Sequence, residues 1–301
     1  MQELKVAIIG LDTSHSVELP RLMNSPECKP ELKINGLKVV ACNRFMTRFT
    51  NKDVLDKRQE QLEQWGIKVT ENFDEAVADC DAIQMEINDP SLHLEYFERL
   101  APLGKPVFLD KPLAESVEDG RKIIELARKY GTRVWSGSSI PLNPKVQQCI
   151  DNLQDEPLIA HAFGPMGVAP AGSSVIWYGV HTFEIMQRLI GPCGAKSVHA
   201  VESPVGVIST VAYDDDRVGL VECQKGCWCY GGRIQNNNNA SLLHILATEP
   251  NYYYLMRNIR NFFRGGDAPV TIEKTFEGLA IMNAAEASVK SGKAVEVEKL
   301  D

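Results

Sequence analysis

Pro106-Val107-Phe108-Leu109-Asp110-Lys111-Pro112 is the stretch that decides the fold. Its first four residues read as a short buried strand, and a helix pattern follows from about Ser116 to Tyr130. An acid, an amine and a proline at the mouth of a buried strand are not packing material. A lysine that leaves a parallel strand at its C-terminal end points into the crevice where open α/β sheets bind ligands. The stretch therefore leans towards an enzyme.

Working outward, the first half of the chain alternates strand and helix signals. The apolar run Leu4–Ile9 ends in Gly10, and a short helix is expected from about Ser16 to Asn24. Further strands are expected at Leu37–Cys42, Ile67–Val69, Ala82–Ile87 and Arg133–Trp135, with helices near Asp53–Trp65, Phe73–Ala78 and Leu92–Leu100. Repeated βα units with fully apolar strands imply a parallel sheet covered on both faces, and right-handed crossovers. After about Gly137 the pattern changes. Prolines 141, 144 and 157 punctuate a linker and one helix. Strands are expected at Ile159–Phe163, Ser197–Val201, Val207–Tyr213 and Val218–Cys229, with helices at Val180–Ile190, Asn251–Arg264 and Phe276–Ser291. Asn236–Asn239 reads as an exposed loop. The expected fold is α/β: a doubly wound Rossmann domain over residues 1–137, then an α+β domain over 138–301 with a mostly antiparallel sheet.

Composition narrows the function classes. At 301 residues and 44% hydrophobic content, two ordinary cores are the natural division. A net charge of -8 argues against a basic nucleic-acid face. No run of 18 apolar residues suggests a membrane span, and Met1–Lys5 leads directly into a strand, so a cytoplasmic protein is expected. The eight cysteines lack the spacing of a disulfide framework. Cys223, Cys227 and Cys229 read as one face of a strand, and no metal site is expected there because no second ligand pair is near.

At Gly10-Leu11-Asp12-Thr13-Ser14-His15 only the first glycine of a G-x-G-x-x-G fingerprint is present. Asp12 and His15 replace the second and third. Thr13 and Ser14 offer hydroxyls, and a helix N-terminus attracts anions. The segment reads equally as a phosphate loop or as an ordinary helix cap. At the end of the second strand, Asn43 could bond a ribose and Arg44 could pair with a 2′-phosphate, which leans the choice between NAD and NADP towards NADP.

Together these residues resemble the Gfo/Idh/MocA family (glucose-fructose oxidoreductase, inositol dehydrogenase). Asp110-Lys111-Pro112 resembles its E-K-P. Asn88-Asp89-Pro90-Ser91-Leu92-His93 is similar to its T-P-N-x-x-H stretch, and Gly179-Val180-His181 to its G-x-H. Gly292-Lys293-Ala294-Val295 after the final helix also matches. The resemblance implies a nicotinamide cofactor, a sugar or polyol substrate and an open sheet that forms a homo-oligomer. By motif match, Lys111 is the active-site lysine and His181 the proton-transfer histidine. Asn88 and His93 flank the nicotinamide, Asp110 holds Lys111 or touches the cofactor, and the family suggests a cis bond before Pro112. The chain departs from the family in its eroded fingerprint, in Trp177 where an acid often precedes the histidine, and in Ser138-Ser139-Ile140-Pro141 at the linker.

The chemistry expected is alcohol oxidation. A base takes the hydroxyl proton, and the carbon's hydride faces the nicotinamide. Lys111 would stabilise a developing alkoxide, and His181 has the intrinsic pKa of a general base. Trp177 and Tyr178 either line a sugar or pack a core. Two other readings use the same fold: a non-catalytic sensor or regulator, and a cofactor-retaining enzyme that cleaves glycosides.

Overall fold

The computed structural model describes residues 3–246 and 248–300. The chain divides into two units. Unit one comprises Met1–Ala114, Lys122–Ser136 and Tyr252–Ile272, and unit two comprises Glu115–Arg121, Gly137–Asn251 and Glu273–Asp301. The division expected from the sequence, 1–137 and 138–301, follows chain order; in space the chain re-enters unit one at Tyr252–Ile272.

Unit one is built on β1 (Leu4–Ile9), α1 (His15–Asn24), β2 (Leu37–Asn43), α2 (Lys52–Gln64), β3 (Lys68–Thr70), α3 (Phe73–Val77), β4 (Ala82–Met85), α4 (His93–Leu100), β5 (Val107–Asp110), α5 (Val117–Tyr130) and β6 (Val134–Gly137). The six strands lie in the order β3-β2-β1-β4-β5-β6. This is the expected doubly wound parallel sheet, with its switch point between β1 and β4. Every residue of β4 and β5 is buried, as strands covered on both faces require. Asn51 and Asn72 cap α2 and α3 by accepting the backbone N–H groups of Val54 and Glu75. The registers Ile9↔Met85 and Met85↔Leu109 bring the next residues, Gly10, Glu86 and Asp110, to one level across three strands.

Unit two contains α6 (Pro144–Asp151), β7 (Ile159–Pro165), α7 (Val180–Ile190), β8 (Ala195–Ser203), β9 (Gly206–Tyr213), β10 (Val218–Gln224), β11 (Tyr230–Gln235) and β12 (Ala240–Ile245). After them α8 (Asn251–Phe263) returns to unit one, and α9 (Ile272–Ser291) and β13 (Val295–Glu296) follow. The seven-stranded sheet runs β12-β11-β7-β10-β9-β8-β13, with only β7 and β10 parallel among the registered neighbours. The mixed, mostly antiparallel sheet expected from the sequence is present.

One strand boundary is corrected, and the polar loop expected at Asn236–Asn239 is present. The strand expected over Val218–Cys229 ends at Gln224, because Gly226 takes a φ of +78° and turns the chain. Asn236–Asn239 is the tip of a β11–β12 hairpin: the Asn236 side chain accepts the N–H groups of Asn238 and Asn239. Gly231 and Gly232 hid β11. A Cβ at Gly232 would meet the His161 carbonyl oxygen at 2.0 Å, so glycine is what lets β11 close on β7.

Candidate active site

The end of β1 carries the first element. Gly10 has a φ of +104°, and a Cβ there would stand 2.4 Å from the Glu86 carbonyl oxygen. Only glycine lets the chain turn so close to the end of β4. Asp12, where a fingerprint glycine would stand, does not face outward. It is 2% exposed, and its Oδ1 accepts the Asn88 N–H at 2.9 Å while its Oδ2 accepts the Thr47 hydroxyl at 2.7 Å. Burial raises its pKa against those two hydrogen bonds. Arg58 donates to the Leu11 carbonyl at 2.9 Å and sets a cation behind the same loop. Burial lowers the Arg58 pKa, opposed by the Asp12 charge. Thr13 Oγ1 accepts the His15 N–H at 3.3 Å, and Ser14 is exposed at the start of α1. The loop fits a dinucleotide: the glycine is kept where the backbone is tightest, and the intruding carboxylate is turned inward onto two donors.

His15 extends that repair. Its Nδ1 lies 2.7 Å from Asp110 Oδ2 and 4.0 Å from Glu86 Oε2, and the edge of its ring meets Tyr252 at 5.1 Å between centroids. Tyr252 opens α8, which is anchored to unit one by the Trp135–Phe262 ring contact and by Arg133 donating to the Phe262 carbonyl. Glu86 and Asp110 are buried. Burial, then repulsion from Asp110, raises the Glu86 carboxyl well above its ordinary value. Burial also pushes on Asp110, but the His15 charge, the His15 hydrogen bond and Lys111 outweigh it and hold its carboxyl low. The two acids are thus driven apart: Glu86 towards neutral, Asp110 towards ionised. Lys111 is itself only 5% exposed, and its peptide bond to Pro112 is cis.

The other candidates of unit one are more committed. Asn43 is buried and donates to the Thr70 carbonyl at 3.2 Å, while Arg44 is engaged by Asp56 and Gln59 of α2. Asn88 contributes its backbone N–H to Asp12. His93 is fully buried, with Nε2 2.8 Å from the Ile87 carbonyl and Nδ1 3.3 Å from that of Leu113. Burial lowers its pKa against those two contacts. It ties the turn after β4 to the turn after β5.

In unit two, His181 stands in the first turn of α7, directly after a turn of π-helix at Val175–Gly179. Such turns recur at functional sites. His181 is 7% exposed and meets the ring edges of Tyr178 at 5.1 Å and Tyr230 at 6.2 Å. Trp177 and Trp228 extend the aromatic surface around Tyr178. Behind it, a Cβ at Gly164 would meet Thr182 Oγ1 at 2.4 Å and Tyr230 Cδ1 at 2.5 Å, so that glycine seats the Tyr230 ring. The single-strand reading of the cysteines is corrected. Cys223 is buried in β10, whereas Cys227 and Cys229 lie in the following loop with their Sγ atoms 3.4 Å apart.

Glu86 is the buried carboxyl at the site that sequence reading did not single out. Its signal was a charge inside the otherwise apolar run Ala82–Ile87, beside a second polar residue, Gln84.

The six-stranded parallel sheet, its switch point and the glycine turn after β1 define a Rossmann-type nucleotide-binding fold. Residues 4–138 match the Gfo/Idh/MocA model, described as an oxidoreductase family with an NAD-binding Rossmann fold. An uncharacterized oxidoreductase, ORF334, of Rhizobium meliloti is 30% identical over 122 residues, which is 40% of this chain and 34% of that protein. An inositol 2-dehydrogenase of Klebsiella pneumoniae (strain 342) is 44% identical over 57 residues, 19% of this chain and 17% of that one. The matches thus span about a third or less of these relatives' length. Over the whole chain the fold is that of solved structures such as GenD2 from gentamicin A biosynthesis, crystallised with NAD. That likeness has a TM-score of 0.81 at 15% identity, covering 99% of this chain and 97% of that one. Among the described residues, no helix is long and apolar enough to cross a membrane.

Proposed function

We propose that the chain is an NAD(H)-dependent oxidoreductase that oxidises a secondary hydroxyl of a polyol or sugar. The observation that carries this reading is Lys111: an amine 5% exposed, leaving β5 one residue after a buried carboxylate, at the end of the sheet where such folds take their ligands. Gly10, Thr13, Ser14 and the start of α1 hold the pyrophosphate. Bound nicotinamide supplies the hydride acceptor. Lys111 stabilises the developing alkoxide, and His181, backed by Tyr178 and Tyr230, takes the hydroxyl proton. The inositol 2-dehydrogenase likeness supports a polyol substrate.

NAD is preferred to NADP in this reading, against the lean from the sequence. The Arg44 guanidinium that would pair with a 2′-phosphate is occupied by Asp56 and Gln59. A cytoplasmic location and a homo-oligomer belong to the same proposal. The latter is supported by exposed Val201 and Ile208, which face each other across β8 and β9.

The test is fluorescence titration with NADH and NADPH, then a polyol and sugar panel. NADH binding the tighter and turnover with a polyol are expected. Lys111→Ala and His181→Ala should each lower kcat by about 10²–10⁴-fold, the usual contribution of a proton-transfer group, while leaving circular dichroism unchanged. Cofactor binding with no turnover on any hydroxy compound would instead favour a sensor, and unchanged kcat in both variants would remove the assigned roles.

A further inference from the structure

We propose that His15, Glu86 and Asp110 form a binding site for one first-row divalent cation of the zinc or manganese kind. The inference does not rest on the nicotinamide reading, since it concerns a cluster that exists whatever the cofactor. Topology builds it. The registers that level Met85 with Ile9 and Leu109 set Glu86 and Asp110 side by side at the ends of neighbouring strands, and α1 delivers His15 to them. One ligand-type atom from each residue lies within 4.8 Å of the other two.

The second observation is the state of the oxygens. Glu86 Oε2 and Asp110 Oδ1 are buried and accept no hydrogen bond among the described residues. Buried carboxylate oxygens are nearly always satisfied, so two orphans on adjacent strands, one of them facing the imidazole at 4.0 Å, point to a ligand that takes lone pairs. The Gln84 amide stands 3.5 Å from Glu86 Oε1, at the limit of a hydrogen bond.

Ligand chemistry then selects the cation. Bonds of about 2.0–2.2 Å in a tetrahedral or octahedral shell put ligand atoms roughly 3–3.5 Å apart. The separations of 2.7 and 4.0 Å at His15 Nδ1 bracket that value, and the ligand atoms of Glu86 and Asp110 lie within 4.8 Å of each other. One imidazole with two carboxylates suits zinc, manganese or iron(II), and it is a poor match to calcium or magnesium, which want oxygen alone. Three protein ligands leave a coordination position open to water or to a substrate oxygen. The charges beside the cluster are Lys111, which favours both carboxylates in their ionised form, and Asp12, which opposes ionisation of Glu86. The Tyr252 ring edge stands against the His15 ring.

The protein is stripped with a chelator and titrated calorimetrically with zinc or manganese chloride, with no dinucleotide present. One ion per chain is expected. Glu86→Gln and His15→Asn should each weaken binding by at least 10–100-fold, while a Cys227→Ser/Cys229→Ser double variant binds as the parent does. Cobalt(II) added to the unaltered chain gives a second readout: d–d absorption without a thiolate charge-transfer band. A dissociation constant weaker than about 0.1 mM, a thiolate band, or affinity lost with the cysteines and kept in Glu86→Gln would each overturn the proposal. NADH titration of the same stripped protein tests the other reading separately.

Discussion

Asp12 offers the sharpest test of how the first loop is built. Its carboxylate holds two donors, the Asn88 N–H and the Thr47 hydroxyl. Asp12→Ala removes the acceptor of both; an unsatisfied donor costs about 1–3 kcal/mol, and because these two are half-buried a loss of about 2–3 kcal/mol is expected. For a unit of roughly 150–250 residues that is on the order of 5–10 °C in Tm. Asp12→Asn behaves differently. Its amide oxygen keeps the Asn88 bond, its NH2 donates to the Thr47 oxygen, and the buried charge is gone. The raised pKa of Asp12 says that burial outweighs the two hydrogen bonds acting on the ionised form. A carboxyl raised on folding stabilises fully below its unfolded pKa, and that contribution is lost as pH climbs through the folded pKa. Asp12→Asn should therefore gain on the parent as pH rises from about 4 to about 8. Differential scanning fluorimetry across that range, with urea unfolding at neutral pH, measures both effects. If Asp12→Asn falls as far as Asp12→Ala at neutral pH, or if Asp12→Ala loses less than about 1 kcal/mol, the carboxylate is not the inward staple described.

Arg217, in unit two, gives a second test. Its buried guanidinium donates to the carbonyls of Ile190, Pro192 and Cys193 and pairs with Asp215. It closes the C-terminal end of α7. Arg217→Met should cost about 3–5 kcal/mol by urea unfolding, because it leaves carbonyls without donors; a loss below about 1 kcal/mol would show the end of α7 satisfied by other means. Thiol reactivity gives a third. Cys193 and Cys227 are exposed and Cys229 is half-buried, whereas burial raises the pKa of Cys42 and pushes Cys223 up to about 12. Maleimide with the folded chain, followed by peptide mass analysis, should label the loop pair Cys227 and Cys229 and spare Cys42, Cys149 and Cys223. Early labelling of Cys223 would contradict its place in β10.

The sequence made the first unit legible because parallel strands covered on both faces read as plain apolar runs, and because their ends carry residues that packing does not explain. Val107–Leu109 with Asp110 and Lys111 is the clearest case. The same property hid Glu86: one charge inside an apolar run passes as noise until the registers bring it level with Asp110. Unit two was harder. Gly231 and Gly232 look like strand breakers, yet each is required by a backbone atom of β7 or β12 at the position its Cβ would take. The π-helical turn before His181 has no periodic signature that separates it from the helix it opens.

The two lost glycines are best understood as one construction. In a full fingerprint, small residues leave room for a phosphate and for close packing of helix on strand. Here Asp12 fills its place by stapling the loop to the turn after β4, and His15 fills its own by linking α1 to β5 through Asp110 and to α8 through Tyr252. Returning glycine at position 12 would strand the Asn88 and Thr47 donors. At position 15 it would leave Asp110 and Glu86 as buried neighbours without the imidazole that now divides their charge. The departures thus depend on partners scattered from Thr47 to Tyr252, and such dependence is invisible to a motif read along the chain. It follows from the sheet register, which sets the ends of β1, β4 and β5 at one level and makes whatever stands there a single interacting group.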